Sequence, residues 1–313
     1  MSDPLAGALP VCRFATQLLA PIDALLRVYS KHHFNRNLTE RTLVSWYNQP
    51  TETYSEKGGR LSSHERLASV VSLVTLGLGA SLVMSPPLVW GFLALLILTT
   101  CVGTGQILRT SPLASNGEIS VVVFVLPALI VLGGFLFLRM PPFEHGAAIA
   151  VGLFATAALL TVALYAEEQT SRPASTTYRR ARLALNLIAW VIAFALFSAI
   201  FAPKVRSIVS ATAILVASAL IAAELFRGSA RGSLHPIYVG VVALALGQVT
   251  WALNYWVLGA LAGGAILLLV FYTLTGIIRS YLDGTLGVRI LSEHLAVAGV
   301  GLLAVVAGGL WLR

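Results

Sequence analysis

The sequence predicts an all-α fold, a polytopic transmembrane helix bundle with about nine spans. Three observations lead to this class. The chain has 313 residues, of which 57% are hydrophobic and only 11% are charged, whereas a soluble domain carries about 25% charged residues. Its mean hydropathy of +0.84 leaves too few polar side chains to cover a water-facing surface. Finally, nine apolar runs contain no Asp, Glu, Lys or Arg.

Each apolar run predicts one membrane-spanning helix. A hydrocarbon core about 30 Å thick is crossed by roughly 20 residues, and backbone groups inside it must be paired within the segment. Pro86 and Pro87 separate the first two runs, and the sixth helix is expected to continue past Glu224 to about Phe226. The predicted spans are 67–84, 88–108, 119–138, 147–165, 183–202, 208–223, 237–257, 260–278 and 295–312.

Basic residues predict the orientation of the bundle. With a cytoplasmic N-terminus, 17 of the 21 Lys and Arg residues fall on the cytoplasmic side and four fall outside. Lys and Arg accumulate in short cytoplasmic loops, so we expect the N-terminus to be cytoplasmic and the C-terminus to lie outside. The expected location is the cytoplasmic (inner) membrane of a prokaryote. Membrane topology also accounts for the net charge of +8, so no nucleic-acid partner is predicted.

Residues 1–66 are expected to form a cytoplasmic N-terminal arm, and residues 67–313 the transmembrane bundle. Within the arm, apolar residues recur at the spacing of an amphipathic helix: Phe14, Leu18, Ile22, Leu25 and Tyr29. Basic residues from Lys31 to Arg36 follow. Such a helix lies in the membrane interface, where it is attracted by anionic lipid, or docks on the bundle itself. Both interpretations stay open.

The seventh predicted span carries the most polar and aromatic group of side chains: Gln248, Trp251, Asn254 and Tyr255. Gln248, Trp251 and Tyr255 share one side at helical spacing, and Asn254 is beside them. Side chains of this kind line a cavity or bind a ligand's polar head group. Alternatively, the two amides bind neighbouring helices and Tyr255 belongs to the outer aromatic belt. These four residues are therefore candidate ligand or helix-contact residues.

A second candidate group is a polar cluster at the inner surface, formed by Glu167, Glu168, Arg172 and Glu224. The run from Glu167 to Arg172 resembles the EExxxR signature of the CAAX-processing and bacteriocin-immunity type of intramembrane metalloprotease. In that family the paired glutamates activate water and help to hold a metal. The resemblance covers six residues of the chain.

The partner motifs of that metalloprotease family are absent from the sequence. They place histidines in FxxxH and HxxxN/D, and neither His235 nor His294 has such neighbours. HExxH, GxSxG and Walker motifs are also missing. None of the 34 charged residues, and no His, lies in a predicted span, which disfavours a proton relay and haem ligation. We therefore predict no metal and no cofactor, and the sequence favours a protein without an enzyme active site.

The function predicted from these observations is that of a non-enzymatic accessory, scaffold or assembly component of a membrane system. Its expected partners are membrane lipids and other membrane proteins. An alternative is a secondary transporter or lipid-handling protein for a neutral or amphipathic substrate, favoured by four similar hairpins that begin near 88, 147, 208 and 260. A third hypothesis is a lipid-modifying enzyme that uses Glu167, Glu168 and Glu224.

Overall fold

The computed structural model describes residues 63–108, 121–141, 146–170, 177–203, 207–227, 235–256 and 258–311. Residues 1–62, which carry the candidate amphipathic helix, lie outside the described residues, and so does Arg172. Within the described ranges the chain is all-helical. The helices are α1 Ser63–Val83, α2 Pro86–Leu108, α3 Val125–Leu138, α4 Gly146–Thr170, α5 Tyr178–Phe201, α6 Ser207–Phe226, α7 His235–Leu253, α8 Ala260–Leu282 and α9 Val288–Trp311.

Nine helices of the described part of the chain are long and apolar enough to cross a membrane. The span at α3 reaches this length when the preceding 3-10 turn, Val121–Phe124, is counted together with the α-helix. The all-helical class and the number of candidate spans are thereby confirmed. Pro86 begins α2 shortly after α1 ends, because proline fits the first turn of a helix, where its missing N–H needs no partner. As expected, α6 continues to Phe226.

Helix α5 lies at the centre of the bundle. It packs against α3, α4, α6 and α8, and its buried face includes Leu185, Ile188, Ile192 and Leu196. Helices α6 and α7 pack closely along one flank, and α9 packs against α8 at the other edge. No residue in the apolar window of α9 is buried, so this helix presents most of its surface outwards.

Small residues allow α5 and α8 to approach closely. Gly263 of α8 lies against the Phe201 ring, and Gly264 lies against Ser198. A Cβ atom at Gly264 would be 2.8 Å from both the Cα and the backbone N of Ser198. The contact is therefore between backbones, as is common where glycines bring transmembrane helices together.

Buried threonines within the helices bind their own backbone. The hydroxyl groups of Thr100, Thr104, Thr250 and Thr275 donate to the carbonyl four residues earlier, at 2.7–2.8 Å. A hydroxyl paired in this way satisfies its donor without a partner on another helix. These polar side chains are thus compatible with an apolar interior.

Several helices extend beyond the predicted charge-free spans. Helix α4 continues to Thr170, and α5 already begins at Tyr178, so Glu167 and Arg182 lie within helices. Helix α9 begins at Val288, so Arg289, Glu293 and His294 lie within a helix, before the start of the predicted span 295–312. In contrast, α7 ends at Leu253, before the predicted end of span 237–257.

Candidate functional site

Four charged side chains meet where α4 ends, α5 begins and α6 ends; we call Glu167, Arg182, Glu224 and Arg227 the ion cluster. The Arg227 Nη2 atom lies 2.7 Å from Glu167 Oε2 and 3.0 Å from Glu224 Oε1. Arg182 Nη1 lies 3.3 Å from the same oxygen of Glu224. Both carboxylate side chains are only 2% exposed. The cluster therefore joins three helices through buried ion pairs.

Arg182 also closes the C-terminal end of α6. Its Nη2 donates to the carbonyl oxygen of Glu224 at 3.1 Å and to the carbonyl oxygen of Arg227. The last carbonyls of a helix have no partner within the helix, and this end carries a partial negative charge. A guanidinium on α5 thus satisfies backbone acceptors of α6 and complements the charge at its end.

The charges of the ion cluster balance, with two carboxylates against two guanidiniums. Burial lowers the pKa of Arg227, but the adjacent Glu167 and Glu224 carboxylates raise this pKa by more, so the guanidinium remains a cation. Glu224 Oε1 is shared by both arginines. Its Oε2 atom is buried and makes no hydrogen bond within the described part of the chain.

The structure brings together two members of the predicted inner-surface cluster, Glu167 and Glu224. Glu168 follows on α4 and is half-buried. Arg182 and Arg227, which bind the two carboxylates, were not among the predicted site residues. The available sequence signal was their position at helix ends expected on the same side of the membrane. Among the described residues, no group of three or more His, Cys, Asp or Glu side chains is placed to hold a metal ion.

The side chains of the predicted polar and aromatic group at α7 point in two different directions. Asn254, in the turn after α7, points towards α6, and its Nδ2 donates to Ser210 Oγ at 2.9 Å. Gln248 is exposed on the outside of α7, and Trp251 and Tyr255 are 58% and 75% exposed. No hydrogen bond joins the Gln248 side chain to any described residue.

Aromatic rings connect α5, α8 and α9 where these helices pack together. The Trp190 ring centroid lies 5.5 Å from that of Phe271 and 5.2 Å from that of Tyr272. The His294 ring stacks on Tyr272 at 5.4 Å with an interplanar angle of 20°. Nδ1 of His294 lies 2.9 Å from the carbonyl oxygen of Ile290 in the preceding turn of α9. His294 therefore contributes to packing between helices.

An apolar groove of about 480 Å³ lies between α3, α5 and α6. Thr212 is its single polar side chain, and the hydroxyl donates to the carbonyl of Ile208 at 2.7 Å. The lining residues are Leu129, Leu132, Leu136, Leu196, Ile200, Val209, Thr212, Ala213, Val216, Ala217 and Leu220. With its hydroxyl paired, the groove offers an apolar surface alone.

A family model described as "Protein of unknown function (DUF5656)" matches residues 68–308. The chain belongs to this family. No curated protein and no solved structure is significantly similar to it. The matched residues include the whole ion cluster and the outward side of α7, so both features lie in the family part of the chain.

In this DUF5656 member, the ion cluster is arranged to hold helix ends together. Each guanidinium is bound to a carboxylate of the cluster, and Arg182 is bound to backbone carbonyls as well. Burial of such charges is favourable only where opposite charges and hydrogen bonds replace the lost water. The geometry is thus typical of a network that fixes the positions of α4, α5 and α6.

Proposed function

We propose that this protein is a non-enzymatic accessory or scaffold component of a larger membrane system, joined to it through the outward side of α7. The observation that carries this function is the position of Gln248. Its carboxamide faces away from the bundle, more than one helical turn before α7 ends, and binds no described residue.

A carboxamide that faces lipid loses hydrogen bonds that it would make in water, and this costs free energy. Contact with another transmembrane helix restores a partner and contributes about 1 kcal/mol. Trp251 lies one turn further along the same side and offers a large apolar surface. A carboxamide that can form an interhelical hydrogen bond, beside an exposed indole ring, suits contact with another helix better than contact with lipid chains alone.

A photo-crosslinking amino acid at position 248 tests this function in native membranes. We expect discrete protein adducts of constant mass from position 248. The matched control is position 154, where Phe154 is also exposed, on the outside of α4. Adducts with lipid alone from both positions would remove the basis for a lateral protein partner.

We also propose a prokaryotic inner membrane as the location, with the N-terminus in the cytoplasm and the C-terminus outside. The basic-residue bias of 17 to four supports this placement. In a variant that lacks Cys12 and Cys101, we expect Ser85→Cys to react with a membrane-impermeant thiol reagent in intact cells. Thr285→Cys, in the turn between α8 and α9, should react only after permeabilisation. The reverse labelling pattern would show that the bundle has the opposite orientation in the membrane.

The groove between α3, α5 and α6 favours a second candidate function, the handling of a lipid. Along α6 it extends from Val209 to Leu220, a rise of about 16 Å, which is close to the thickness of one leaflet. Ala213→Phe fills this groove, whereas Ala150→Phe adds the same ring to the exposed side of α4. Native mass spectrometry should show a defined lipid that only the first substitution removes. Equal lipid retention in both variants would exclude a lipid site in the groove.

A further inference from the structure

We infer that Glu224 is a proton-binding site, and that uptake of one proton there weakens the attachment of α5 to the end of α6. The proton comes from water at the membrane surface and binds Oε2 of Glu224. This inference goes beyond the proposed function, because it concerns the ion cluster and not the outward side of α7. It is carried by the unequal way in which hydrogen-bond donors hold the two carboxylates of the cluster.

The two carboxylates differ in how many of their oxygens are bound. Arg227 Nη2 donates to both oxygens of Glu167, at 2.9 Å to Oε1 and 2.7 Å to Oε2. In Glu224 both arginines approach the same oxygen, Oε1: Arg182 Nη1 lies at 3.3 Å and Arg227 Nη2 at 3.0 Å. Oε2 of Glu224 is buried and has no hydrogen bond to any described residue. Glu224 therefore carries its charge with one oxygen uncovered.

An uncovered, buried oxygen favours the neutral form of Glu224. A carboxylate shares its negative charge between both oxygens, and a buried charge without hydrogen bonds lacks the stabilisation that water gives. A proton on Oε2 removes this charge, while Oε1, the carbonyl oxygen of the neutral acid, still accepts from the arginines. On Glu167, a proton would instead occupy an oxygen to which Arg227 already donates. We therefore expect Glu224 to take up a proton before Glu167 does.

The charges around Glu224 act in both directions. Arg182 and Arg227 favour its anionic form, whereas Glu167 is a like charge that favours its neutral form. Tyr178, exposed at the start of α5, lies near the two arginines. Helix α3 has no ionisable side chain. The other ionisable side chains that the structure describes at this end of the bundle are outside the ion cluster: Glu168, Arg179, Arg180, Tyr238, Arg279 and Tyr281.

Proton uptake changes the ion cluster from neutral to singly positive and acts mainly on Arg182. Among the described residues, Arg182 forms an ion pair with Glu224 alone, whereas Arg227 also pairs with Glu167. A neutral Glu224 leaves Arg182 without its carboxylate, so the link between α5 and α6 weakens more than that between α4 and α6. The Arg182 and Arg227 side chains are 13% and 19% exposed, so water at the edge of the cluster supplies the proton.

Infrared difference spectroscopy of the full-length chain in liposomes detects the proton directly. As the pH is lowered from about 9 to about 4, a range that reaches the titration of ordinary glutamates, the unmodified protein should gain the carbonyl stretching band of a buried neutral carboxyl group. Glu224→Gln should lose this band, and the control Glu293→Gln, at an exposed ion pair, should keep it. A band that Glu167→Gln removes and Glu224→Gln keeps would overturn the inference. So would a spectrum without such a band in the unmodified protein.

Amide hydrogen exchange tests the consequence for the helices and does not rely on the infrared band. After correction for the intrinsic effect of pH, acidification should raise exchange in the first turns of α5 more than at the end of α4. Glutamine resembles the neutral acid, so Glu224→Gln should show the raised exchange at high pH already, with no further rise in acid. An equal rise at both helix ends of the unmodified protein would overturn the inference. An unchanged pH response in Glu224→Gln would show that the proton binds elsewhere.

Discussion

The Nη2 atom of Arg227 lies 2.7 Å from Oε2 of Glu167, which ties the end of α6 to the end of α4. The two residues are 60 positions apart in the chain, and the Glu167 side chain is buried. Each charge is tolerated there because the other is present. Removal of one charge therefore leaves the other buried without its main partner, which is more costly than the loss of a pair in water.

We expect Glu167→Gln to lower the free energy of unfolding by about 3 kcal/mol, because Arg227 then loses its closest carboxylate. The measurement is an unfolding titration of the protein in detergent micelles. The control is Glu293→Gln, which breaks the pair between Arg289 Nε and Glu293 Oε1 at 3.1 Å on the exposed surface. That substitution should cost about 0.5 kcal/mol.

Replacement of both charges should be less harmful than the two single changes suggest. In Glu167→Met combined with Arg227→Met, no unpaired charge remains between α4 and α6, and methionine fills similar space. A double-mutant cycle should therefore give a coupling of about 2 kcal/mol between the two positions. Strict additivity would mean that the pair contributes no interaction beyond the separate side chains.

The sequence predicts the number of helices well because each is a long apolar run without charges. It fails at the helix ends for a physical reason. A span defined by the absence of charge must stop before Glu167, yet α4 continues to Thr170, and Glu167 is paired with Arg227 directly after the end of α6. The packing of the helices decides which distant arginine pairs with a carboxylate. The local sequence pattern does not identify that arginine.

The candidate sites were predictable to different extents. Their residue types were visible, since Glu167, Glu224 and Gln248 stand out in an apolar chain. Their surroundings were not, because local spacing does not show that Asn254 lies in the turn after α7 and binds Ser210, whereas Gln248 faces outwards. Helical spacing gives the directions of side chains around α7, but it does not show which side of α7 packs against α6.

We expect Gly264→Ala to destabilise the bundle by about 2 kcal/mol. The added methyl group would lie within 2.8 Å of the Ser198 backbone, so α5 and α8 must separate. Gly299→Ala is the control, because nothing lies within 4 Å of a Cβ at that position of α9. The comparison is made by thermal unfolding in detergent. Equal effects of both substitutions would contradict a close contact between α5 and α8.

A backbone conformation at the end of α8 predicts another difference between two glycines. Gly284 has φ of +70°, in the left-handed region that residues with a Cβ adopt at a cost. We expect Gly284→Ala to lower stability by about 1 kcal/mol, whereas Gly284→Asn should cost less. Gly287→Ala, in the same connection before α9, should be tolerated because its φ is not positive and its surroundings are open. Thermal unfolding distinguishes them.

Asn254 and Gln248 are predicted to respond in opposite ways to leucine. Asn254→Leu removes the hydrogen bond to Ser210 and leaves that buried hydroxyl with one donor fewer, so the monomer should lose about 1 kcal/mol of stability. Gln248→Leu replaces an unpaired amide by an apolar side chain on the outside of α7, so the monomer should be unchanged or slightly more stable. Both are measured in detergent at a protein concentration where the chain is monomeric. A large destabilisation by Gln248→Leu under these conditions would show that the amide binds within its own bundle, and would remove the reason to expect a partner at the outward side of α7.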